Sequence, residues 1–316
     1  MTEPLTLVVN PRAGAGRGAD VLPVVERTLR ELGVSPTVVR TAGPEDATRL
    51  VREALRGGAR GIAVLGGDGT LSEATNGFFE AGEAIRPDAF LAPISAGTGG
   101  DFRKSLGAGN VGTGKASVEE IVRRMWSAKV RPIDVGHLRY VANDGSETHR
   151  VFLNITSFGI GGLVDRLVND APKWMGGGAA FFVGTVRALG RYQPQRVRVI
   201  VDDAAPREAR ITNVAVCNGQ FFGGGMHVAP EARLDDGLFD VVTMHALGLR
   251  AAARLTPRLY RGTHLGQAGV EHVRGRVVVA EPIEPTDHVL LDVDGEAPGR
   301  LPARFELKKG ALLLRG

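Results

Sequence analysis

The sequence predicts a two-domain α/β protein with a parallel sheet in the first domain and mainly antiparallel strands in the second. Short apolar runs alternate with longer segments of helical periodicity up to about residue 132, and strand-like runs dominate from residue 133 onward. Alternating strands and helices are typical of βαβ units, whereas successive strands favour antiparallel pairing. The predicted domains are residues 1–132 and 133–316, with the last strands packing either within the second domain or back on the first.

The first domain alternates strands and helices in a regular order. Its predicted strands are Leu5–Asn10, Thr37–Thr41, Gly61–Leu65 and Phe90–Ile94, and its predicted helices are Ala19–Leu32, Glu45–Arg56, Thr70–Ala81 and Val118–Ala128. Ligands of parallel α/β sheets bind beyond the carboxyl ends of the strands. Three glycine-rich loops fall at those ends, at Asn10–Gly18, Gly66–Thr70 and Ser95–Asp101. We therefore expect the three loops to form one binding site.

The second domain is predicted to be rich in strands. They are Ile133–Val141, Val151–Phe158, Val197–Asp202, Thr212–Cys217, Leu238–Met244, Val273–Val279, Val289–Val293 and Arg304–Leu307. Helix-like segments interrupt them at Gly162–Asn169, Ala179–Tyr192 and Leu249–Tyr260. This pattern favours an antiparallel domain with helical excursions.

The composition is that of a globular protein with full cores, because 43% of the 316 residues are hydrophobic and 23% are charged. A net charge of +4 suits phosphorylated ligands or an anionic membrane surface and is too small to indicate nucleic-acid binding. The single cysteine, Cys217, excludes an internal disulfide and a cysteine zinc site. The N-terminus does not resemble a signal peptide, and no apolar run approaches the roughly 20 residues of a membrane span. We expect a cytoplasmic protein.

The most specific local motif is Gly66-Gly67-Asp68-Gly69-Thr70, which follows an apolar strand and precedes a helix-like segment. Glycines let backbone N–H groups approach an oxyanion, and a helix start favours negative charge. Asp68 adds a carboxylate where phosphates would lie, which indicates a divalent cation between them. The motif therefore predicts a nucleotide-phosphate site with a metal ligand. The alternative is a glycine-rich turn in which Asp68 caps the helix.

A different enzyme class also fits the first loop. Gly14–Ala19 follows a strand and opens a helix, as in dinucleotide-binding proteins, but the second strand ends near Arg40 rather than at an acidic residue. Arg40 would suit a 2′-phosphate, so an NADP-dependent dehydrogenase is an alternative. That alternative gives Gly66–Thr70 no role.

A series of motifs extends over nearly the whole chain. They are Asn10-Pro11 with Gly14, Thr41, Gly66–Thr70 with Glu73 and Asn76-Gly77, Gly97-Thr98 with Asp101-Phe102, Asp134-Val135-Gly136, Asn154 with Gly159–Gly162, Asn218-Gly219 with Gly223–Gly225, Asp235–Asp240, and Asp294-Gly295-Glu296. In this order the motifs resemble the diacylglycerol kinase catalytic-domain family. That family includes bacterial lipid kinases and sphingosine and ceramide kinases, and it is related to the ATP–NAD kinases.

The resemblance implies an ATP-binding first domain, a β-sandwich-like second domain and an active site in the cleft between them. ATP would donate its γ-phosphoryl group to a lipid hydroxyl with Mg²⁺ as cofactor. The residues implied to bind ATP are Asn10, Pro11, Arg12, Ala13, Gly14, Thr41, Gly66, Gly67, Asp68, Gly69, Thr70, Thr98 and Lys104. Asp68 would orient the catalytic Mg²⁺, and Glu296 would be the catalytic base.

The resemblance also implies a structural metal site. The carboxylate of Asp236 would bind the metal together with the backbone carbonyls of Arg233 and Leu238. Without the resemblance, the segment around Asp236 is a good turn sequence, and Asp294-Gly295-Glu296 is a common hairpin sequence.

Three residues depart from the family pattern. Gly100 and Ser72 stand where asparagine is usual, and Ala15 stands where bacterial diacylglycerol kinases tend to carry lysine. The departures leave the acceptor open among diacylglycerol, a sphingoid base, ceramide and a soluble molecule such as NAD.

A lipid acceptor requires an apolar channel and access to a membrane surface. The candidates for the channel are Trp174, Met175, Phe181, Phe182, Phe221 and Phe222. Arg250, Arg254, Arg258 and Arg261 recur at helical spacing and would suit anionic headgroups, although a solvated helix surface explains them equally well. The expected partners are ATP and a lipid at the membrane surface, with no nucleic acid. Peripheral membrane association is expected, and a homodimer is a candidate assembly.

Overall fold

In a computed structural model the chain divides into two units, each with its own core. Unit 1 comprises Met1–Val135 and Lys309–Gly316, and unit 2 comprises Gly136–Lys308. The structure describes residues 4–14, 16–95, 100–106, 117–163, 192–246 and 248–316. The sequence places the boundary after residue 132, whereas the contacts place it after Val135 and assign the last residues of the chain to unit 1.

Unit 1 contains a parallel sheet flanked by helices, as predicted. The elements are β1 (Leu5–Val9), α1 (Arg17–Glu31), β2 (Thr37–Arg40), α2 (Asp46–Arg56), β3 (Gly61–Gly66), α3 (Asp68–Gly77), β4 (Phe79–Glu80), β5 (Glu83–Ala84), β6 (Phe90–Ser95), α4 (Asp101–Ser105) and α5 (Val118–Ser127). The parallel strands have the order β6-β3-β1-β2. Leu313 and Leu314, near the end of the chain, pair in parallel with β6.

Helices cover both faces of the unit 1 sheet, because successive side chains of a strand point to opposite faces. Helices α1 and α5 contribute to one core cluster with the strands; its fully buried members include Leu7, Val9, Val25, Leu29, Leu65 and Val122. Helix α2 packs against α3, where the N–H of Ala47 donates to Glu73 Oε2 at 3.2 Å and Thr48 Oγ1 donates to the Glu73 carbonyl at 2.8 Å. These bonds fix α3 and therefore the turn that precedes it.

Helix α3 is shorter than predicted. The predicted helix ran to Ala81, but the helix ends at Gly77 and the chain then forms the β4–β5 hairpin. Ala81 and Gly82 have φ angles of 50° and 82°, which are left-handed conformations incompatible with a continuing helix.

Unit 2 is mainly antiparallel, as predicted. Its elements are β7 (Val130–Ala142, beginning in unit 1), β8 (Glu147–Phe152), β9 (Ile155–Gly159), β10 (Gln195–Val201), β11 (Arg207–Cys217), β12 (Phe221–Phe222), β13 (Met226–His227), β14 (Phe239–His245), α6 (Leu249–Arg261), β15 (Val270–Gly275), β16 (Val277–Pro282), β17 (Leu291–Val293) and β18 (Gly299–Arg315). One run of strands has the order β15-β14-β11-β10-β16-β18, while β9 pairs with β11 and β17, and β7 pairs with β8.

Two core clusters stabilise unit 2. The larger contains Phe152 stacked on Phe239, with ring centroids 5.6 Å apart, and Phe158 stacked on Phe305 at 6.0 Å. The smaller cluster lies under α6 and includes Leu255 and Leu259 of that helix. Helix α6 is therefore anchored to unit 2 by one face.

Two segments predicted as single strands are each divided in two. Val151–Phe158 is broken between β8 and β9, and Val273–Val279 is broken between β15 and β16. In the second case the N–H groups of Arg276 and Val277 both donate to Asp202 Oδ1 at 2.8 Å, which bends the chain there.

The insertions predicted at Gly162–Asn169 and Ala179–Tyr192 lie almost entirely outside the described residues. Within the described ranges, none of the helices has the length and apolar character needed to cross a membrane.

Candidate active site

The side chain of Asn10 joins the first glycine-rich loop of unit 1 to the second. Asn10 directly follows β1, and its backbone N–H donates to the Leu65 carbonyl at 2.9 Å. Its Nδ2 donates to Thr70 Oγ1 at 2.9 Å, while its Oδ1 accepts from the N–H of Arg12 at 3.0 Å. The last bond closes a turn of the kind that Asn side chains favour. Asn10 therefore fixes the geometry of both loops.

The Gly66–Thr70 turn leads from β3 directly into α3. A Cβ on Gly66 would lie 2.6 Å from Thr70 Cβ, so the turn can close this tightly only with glycine at that position. Gly67 is the N-cap of α3, and no side chain caps the helix. Asp68 is therefore not the helix cap that the alternative reading required. The first N–H groups of α3 form a positive helix end that suits an oxyanion.

The carboxylate of Asp68 contacts the start of α4. Its Oδ2 accepts from the N–H of Asp101 at 2.9 Å, and Lys104 Nζ lies 2.7 Å from Asp101 Oδ1. Burial raises the pKa of Asp68 and the Asp101 carboxylate raises it further, although hydrogen bonds from the Asp101 and Phe102 N–H groups and the charge of Lys104 lower it. The neighbouring carboxylates of Asp68 and Asp101 both offer oxygen atoms, which are the ligands that a hard divalent cation prefers.

Asp101 was not predicted as a site residue, although the sequence motif contains it. The available signal was its position at the end of the third glycine-rich loop. Its contact with Asp68 joins residues 33 positions apart in the sequence, which periodicity does not reveal.

The first loop and Thr41, which are also predicted nucleotide ligands, lie at the ends of neighbouring strands. The N–H of Thr41, after β2, donates to the Val9 carbonyl at 2.9 Å. The chain from Asn10 to Gly14 forms a turn in which the N–H of Ala13 donates to the Asn10 carbonyl at 3.1 Å. The structure thus brings the first two loops and Thr41 to the same edge of the sheet.

Several predicted residues lie outside the described part of the chain. They are Thr98, Ala15, Trp174, Met175, Phe181 and Phe182. Their assignments stay predictions.

An apolar cavity of about 300 Å³ lies beside Asp68 within unit 1. Its apolar walls are formed by strands β3 and β6 and helices α3 to α5; they include Val64, Leu71, Ile94, Phe102, Ile121 and Met125. The charged side chains at its lining are Asp68, Arg103 and Arg124. A largely apolar space with a few charged groups suits a molecule that has both a polar group and a hydrocarbon part.

In unit 2, Glu296 ends a tight hairpin turn. Asp294 and Gly295 have φ angles of 50° and 89°, the pattern of a type I′ turn, and the N–H of Val293 donates to the Glu296 carbonyl at 2.8 Å. Glu296 Oε2 lies 2.6 Å from Arg150 Nη1. The Arg150 side chain is only 11% exposed, whereas that of Glu296 is 37% exposed. The carboxylate is held by a largely buried cation and still reaches solvent.

Asp294 has a structural role in the same turn. Its carboxylate accepts from the N–H groups of Leu153, Asn154 and Ile155 at 3.2–3.3 Å. These bonds hold the break between β8 and β9, because the three N–H groups turn towards one carboxylate instead of a neighbouring strand. The Arg150 and Asp294 contacts together place Glu296 on a firmly held segment, and Arg150 was not predicted as a site residue.

The predicted metal segment around Asp236 is a turn that Arg274 stabilises. Asp236 Oδ1 accepts from the Leu238 N–H at 3.1 Å, and its Oδ2 pairs with the Arg274 guanidinium. Arg233 pairs with Asp235 at 3.3 Å. The carboxylate chemistry fits a divalent cation, but the cation would compete with a guanidinium for the same oxygen atoms.

A group of potential metal ligands lies next to this turn. Glu231, Asp240 and His272 each offer a ligand atom, and these atoms lie within 4.8 Å of one another. His272 Nε2 lies 2.7 Å from Asp240 Oδ1, and Arg274 Nε lies 3.4 Å from Asp240 Oδ2. Burial raises the pKa of Asp240, while His272 and Arg274 lower it. Arg274 therefore supplies positive charge to both acidic residues, Asp236 and Asp240.

Phe221 and Phe222, the described members of the predicted lipid channel, form strand β12. Both are partly buried, and the Phe221 ring stacks on His227 with centroids 4.2 Å apart. The Phe221 carbonyl accepts from Asn154 Nδ2 at 2.6 Å. Phe221 thus has packing partners of its own in unit 2.

Two protein-family models match the chain. The diacylglycerol kinase catalytic domain matches residues 4–138, and the YegS C-terminal NAD kinase beta sandwich-like domain matches residues 154–315. The first match covers most of unit 1 and the second covers most of unit 2, and the second agrees with the predicted β-sandwich-like second domain.

Relatives match over most of their length. The chain is 34% identical to a YegS-like lipid kinase of Xanthomonas oryzae over 274 residues, covering 85% of the chain and 82% of that protein. It is 27% identical to a diacylglycerol kinase of Mycobacterium tuberculosis, covering 98% of the chain and 93% of that protein. A crystal structure of a Bacillus anthracis protein matches with a TM-score of 0.74 and 25% identity, covering 99% and 96% of the two chains. The chain therefore belongs to the diacylglycerol kinase catalytic-domain family and is a kinase.

Proposed function

We propose that this protein transfers the γ-phosphoryl group of ATP to the hydroxyl of diacylglycerol or a related lipid alcohol. The observation that carries the proposal is the arrangement within unit 1, where Asp68 belongs to the glycine-rich Gly66–Thr70 turn and also lines an apolar cavity of about 300 Å³. A soluble, wholly polar acceptor would gain little from such a cavity.

The residues of unit 1 bind and orient the donor. The Gly66–Thr70 turn and the start of α3 contact the phosphates, and the Asn10–Gly14 loop, Thr41 and Thr98 contact the rest of the nucleotide. Asp68 and Asp101 would hold Mg²⁺, and Lys104 balances phosphate charge. When bound, Mg²⁺ neutralises charge on the transferred phosphoryl group and its leaving group.

Glu296 acts as the general base. It takes the proton of the acceptor hydroxyl, whose oxygen forms a bond to the γ-phosphorus while the bond to the bridging oxygen breaks and ADP leaves. Arg150 is a positioning residue, because its guanidinium holds one oxygen of the Glu296 carboxylate.

Other acceptors remain as alternatives within the same reaction class. A sphingoid base or ceramide also offers a hydroxyl on a long hydrocarbon, and NAD offers one on a polar molecule. The cavity favours the lipids. The NADP-dependent dehydrogenase is no longer supported, because the chain belongs to a kinase family.

The donor and the acceptor can be tested in one assay. Incubation with γ-³²P-labelled ATP, Mg²⁺ and separate diacylglycerol, sphingosine, ceramide and NAD is expected to label diacylglycerol most rapidly, with no labelling in EDTA. Thin-layer chromatography of the products provides the readout, and the Asp68→Asn variant provides the background. Exclusive labelling of NAD would reject the lipid acceptor, and tight NADPH binding without nucleotide triphosphate turnover would reject the kinase reaction.

The cation site at Asp236 has a separate test in thermal stability. We propose that a divalent cation binds Asp236 with the carbonyls of Arg233 and Leu238 in competition with Arg274. Without nucleotide, Mg²⁺ should raise the melting temperature of the wild type by a few degrees, because it binds only the folded state. Asp236→Ala should abolish this shift, and Arg274→Gln should enlarge it. The nearby exposed Arg276→Gln variant is the control. An equal Mg²⁺ response in all four proteins would show that Asp236 is only a turn residue.

A further inference from the structure

Helix α6 of unit 2 has an unusual charge pattern. It contains four arginines and no acidic residue, and Arg250, Arg254, Arg258 and Arg261 recur at intervals of three or four. That spacing places them on one face of a helix. The side chains of Arg254, Arg258 and Arg261 are exposed. We call Arg254, Arg258 and Arg261 the basic face of α6.

Other helices of the molecule neutralise arginines with nearby carboxylates. The pairs are Arg30 with Glu26 on α1, Arg49 with Asp46 and Glu53 on α2, and Arg123 with Glu119 on α5, at 2.6–3.0 Å. Such pairs are usual on solvated helix surfaces. On α6, Arg258 donates to the neutral Gln267, and neither Arg254 nor Arg261 forms a salt bridge with any carboxylate of the described ranges. The basic face is thus an uncompensated patch of positive charge.

The opposite side of α6 fixes the helix in place. Leu255 and Leu259 are 7% and 8% exposed and pack in a cluster with Ile155 and Ala215. Tyr260, which directly precedes Arg261 in the chain, is 48% exposed and is one of two exposed large hydrophobic residues among those described. Tyrosine suits a membrane–water interface, where its ring meets apolar groups and its hydroxyl meets water.

We propose that the basic face of α6, with Tyr260, is the surface by which this protein docks on an anionic lipid bilayer. The arginines complement acidic headgroups, and the tyrosine adds apolar contact at the interface. The inference rests on the proposed function, since an enzyme that phosphorylates a lipid alcohol must reach a bilayer. A rigidly packed helix with clustered charge supplies that contact without a membrane-spanning segment.

The test is sedimentation with vesicles in the absence of nucleotide. Wild-type protein is expected to bind vesicles of phosphatidylcholine with 30% phosphatidylglycerol, to bind pure phosphatidylcholine weakly, and to dissociate in high salt. Arg254→Glu with Arg261→Glu should reduce partitioning by about tenfold or more, since each basic residue near such a surface contributes roughly fivefold. Tyr260→Ser should reduce it by a smaller factor.

The control is a pair with the same change of charge elsewhere on unit 2, Arg139→Glu with Arg304→Glu, at exposed positions of β7 and β18. Its binding should stay within about threefold of the wild type, since only residues near the membrane surface contribute strongly. Equal losses in the two pairs, or undiminished binding of the α6 pair, would overturn the proposal. Folding is checked by thermal melting and by turnover of detergent-dispersed diacylglycerol, which should be normal in both pairs. Vesicle binding without phosphorylation of any lipid would reject the proposed function and leave the docking surface intact.

Discussion

Asp68→Asn is expected to abolish phosphoryl transfer and to leave a fold that is at least as stable as the wild type. Asparagine has the shape of aspartate but lacks the charge that, in the proposed mechanism, would hold a divalent cation. Loss of such an electrostatic contact should lower kcat/KM by about a thousandfold or more. The N–H of Asp101 can still donate to the amide oxygen, so the link between the turn and α4 persists. Steady-state kinetics with ATP and dispersed diacylglycerol measure the loss.

The stability of this variant has a predictable pH dependence. Burial and the neighbouring Asp101 carboxylate raise the pKa of Asp68, so the folded state binds its proton more tightly than the unfolded state does. The ionised carboxylate therefore destabilises the fold above the raised pKa, and this cost disappears below the ordinary value of 3.8. Thermal melting in EDTA should show Asp68→Asn melting above the wild type near neutral pH, with the difference shrinking as the pH falls.

A suitable control is Asp88→Asn, which removes an exposed carboxylate of the same unit. Its turnover and melting temperature should match the wild type. Near-normal turnover in Asp68→Asn would show that the carboxylate has no part in catalysis, even if nucleotide still binds. A lower melting temperature at neutral pH would show instead that Asp68 stabilises the turn.

The sequence predicted the fold well where local pattern and tertiary packing agree. In α2 the buried residues Ala47, Val51 and Leu55 recur every four positions, and the apolar run Ile62–Leu65 is a fully buried strand. Prediction was poorer where a side chain distant in the sequence determines the backbone conformation. The break between β8 and β9 depends on Asp294, about 140 residues away, and the break between β15 and β16 depends on Asp202. Such contacts leave no periodic trace in the sequence.

The same distinction applies to the residues of the candidate site. The Gly66–Thr70 turn was identifiable because its chemistry resides in one continuous segment with the required glycines. Asp101, Arg150 and Arg274 were not, because each acts through a contact with a residue far away in the sequence. A basic residue in a strand such as β8 looks like an ordinary surface residue until its burial is known. The structure therefore adds to the sequence motifs the charged residues that contact them.

Glu296→Gln is expected to lower kcat by a factor on the order of a hundred or more, with little change in ATP affinity. Glutamine fills the same space and can still accept a hydrogen bond from Arg150, but it cannot take the proton of the acceptor hydroxyl. The residues proposed to bind ATP lie in unit 1, so nucleotide affinity measured by calorimetry should stay close to the wild type. Glu281→Gln, at an exposed position of β16, is the matched control and should be fully active. Turnover close to normal in Glu296→Gln would remove this residue from the mechanism.

Variants of Arg150 provide a second test of this prediction. They distinguish a role in positioning the Glu296 carboxylate from a general role in folding. If Arg150 acts only through Glu296, Arg150→Lys should lower kcat by less than Glu296→Gln does, since an ammonium can hold the carboxylate but not in the same planar geometry. The double variant should then be no slower than Glu296→Gln alone, because the second change has no further base to misplace. Melting temperatures identify any general loss of structure. Multiplying effects in the double variant would mean that Arg150 acts independently of the carboxylate, whereas non-additive effects would identify Arg150 as the residue that positions the base.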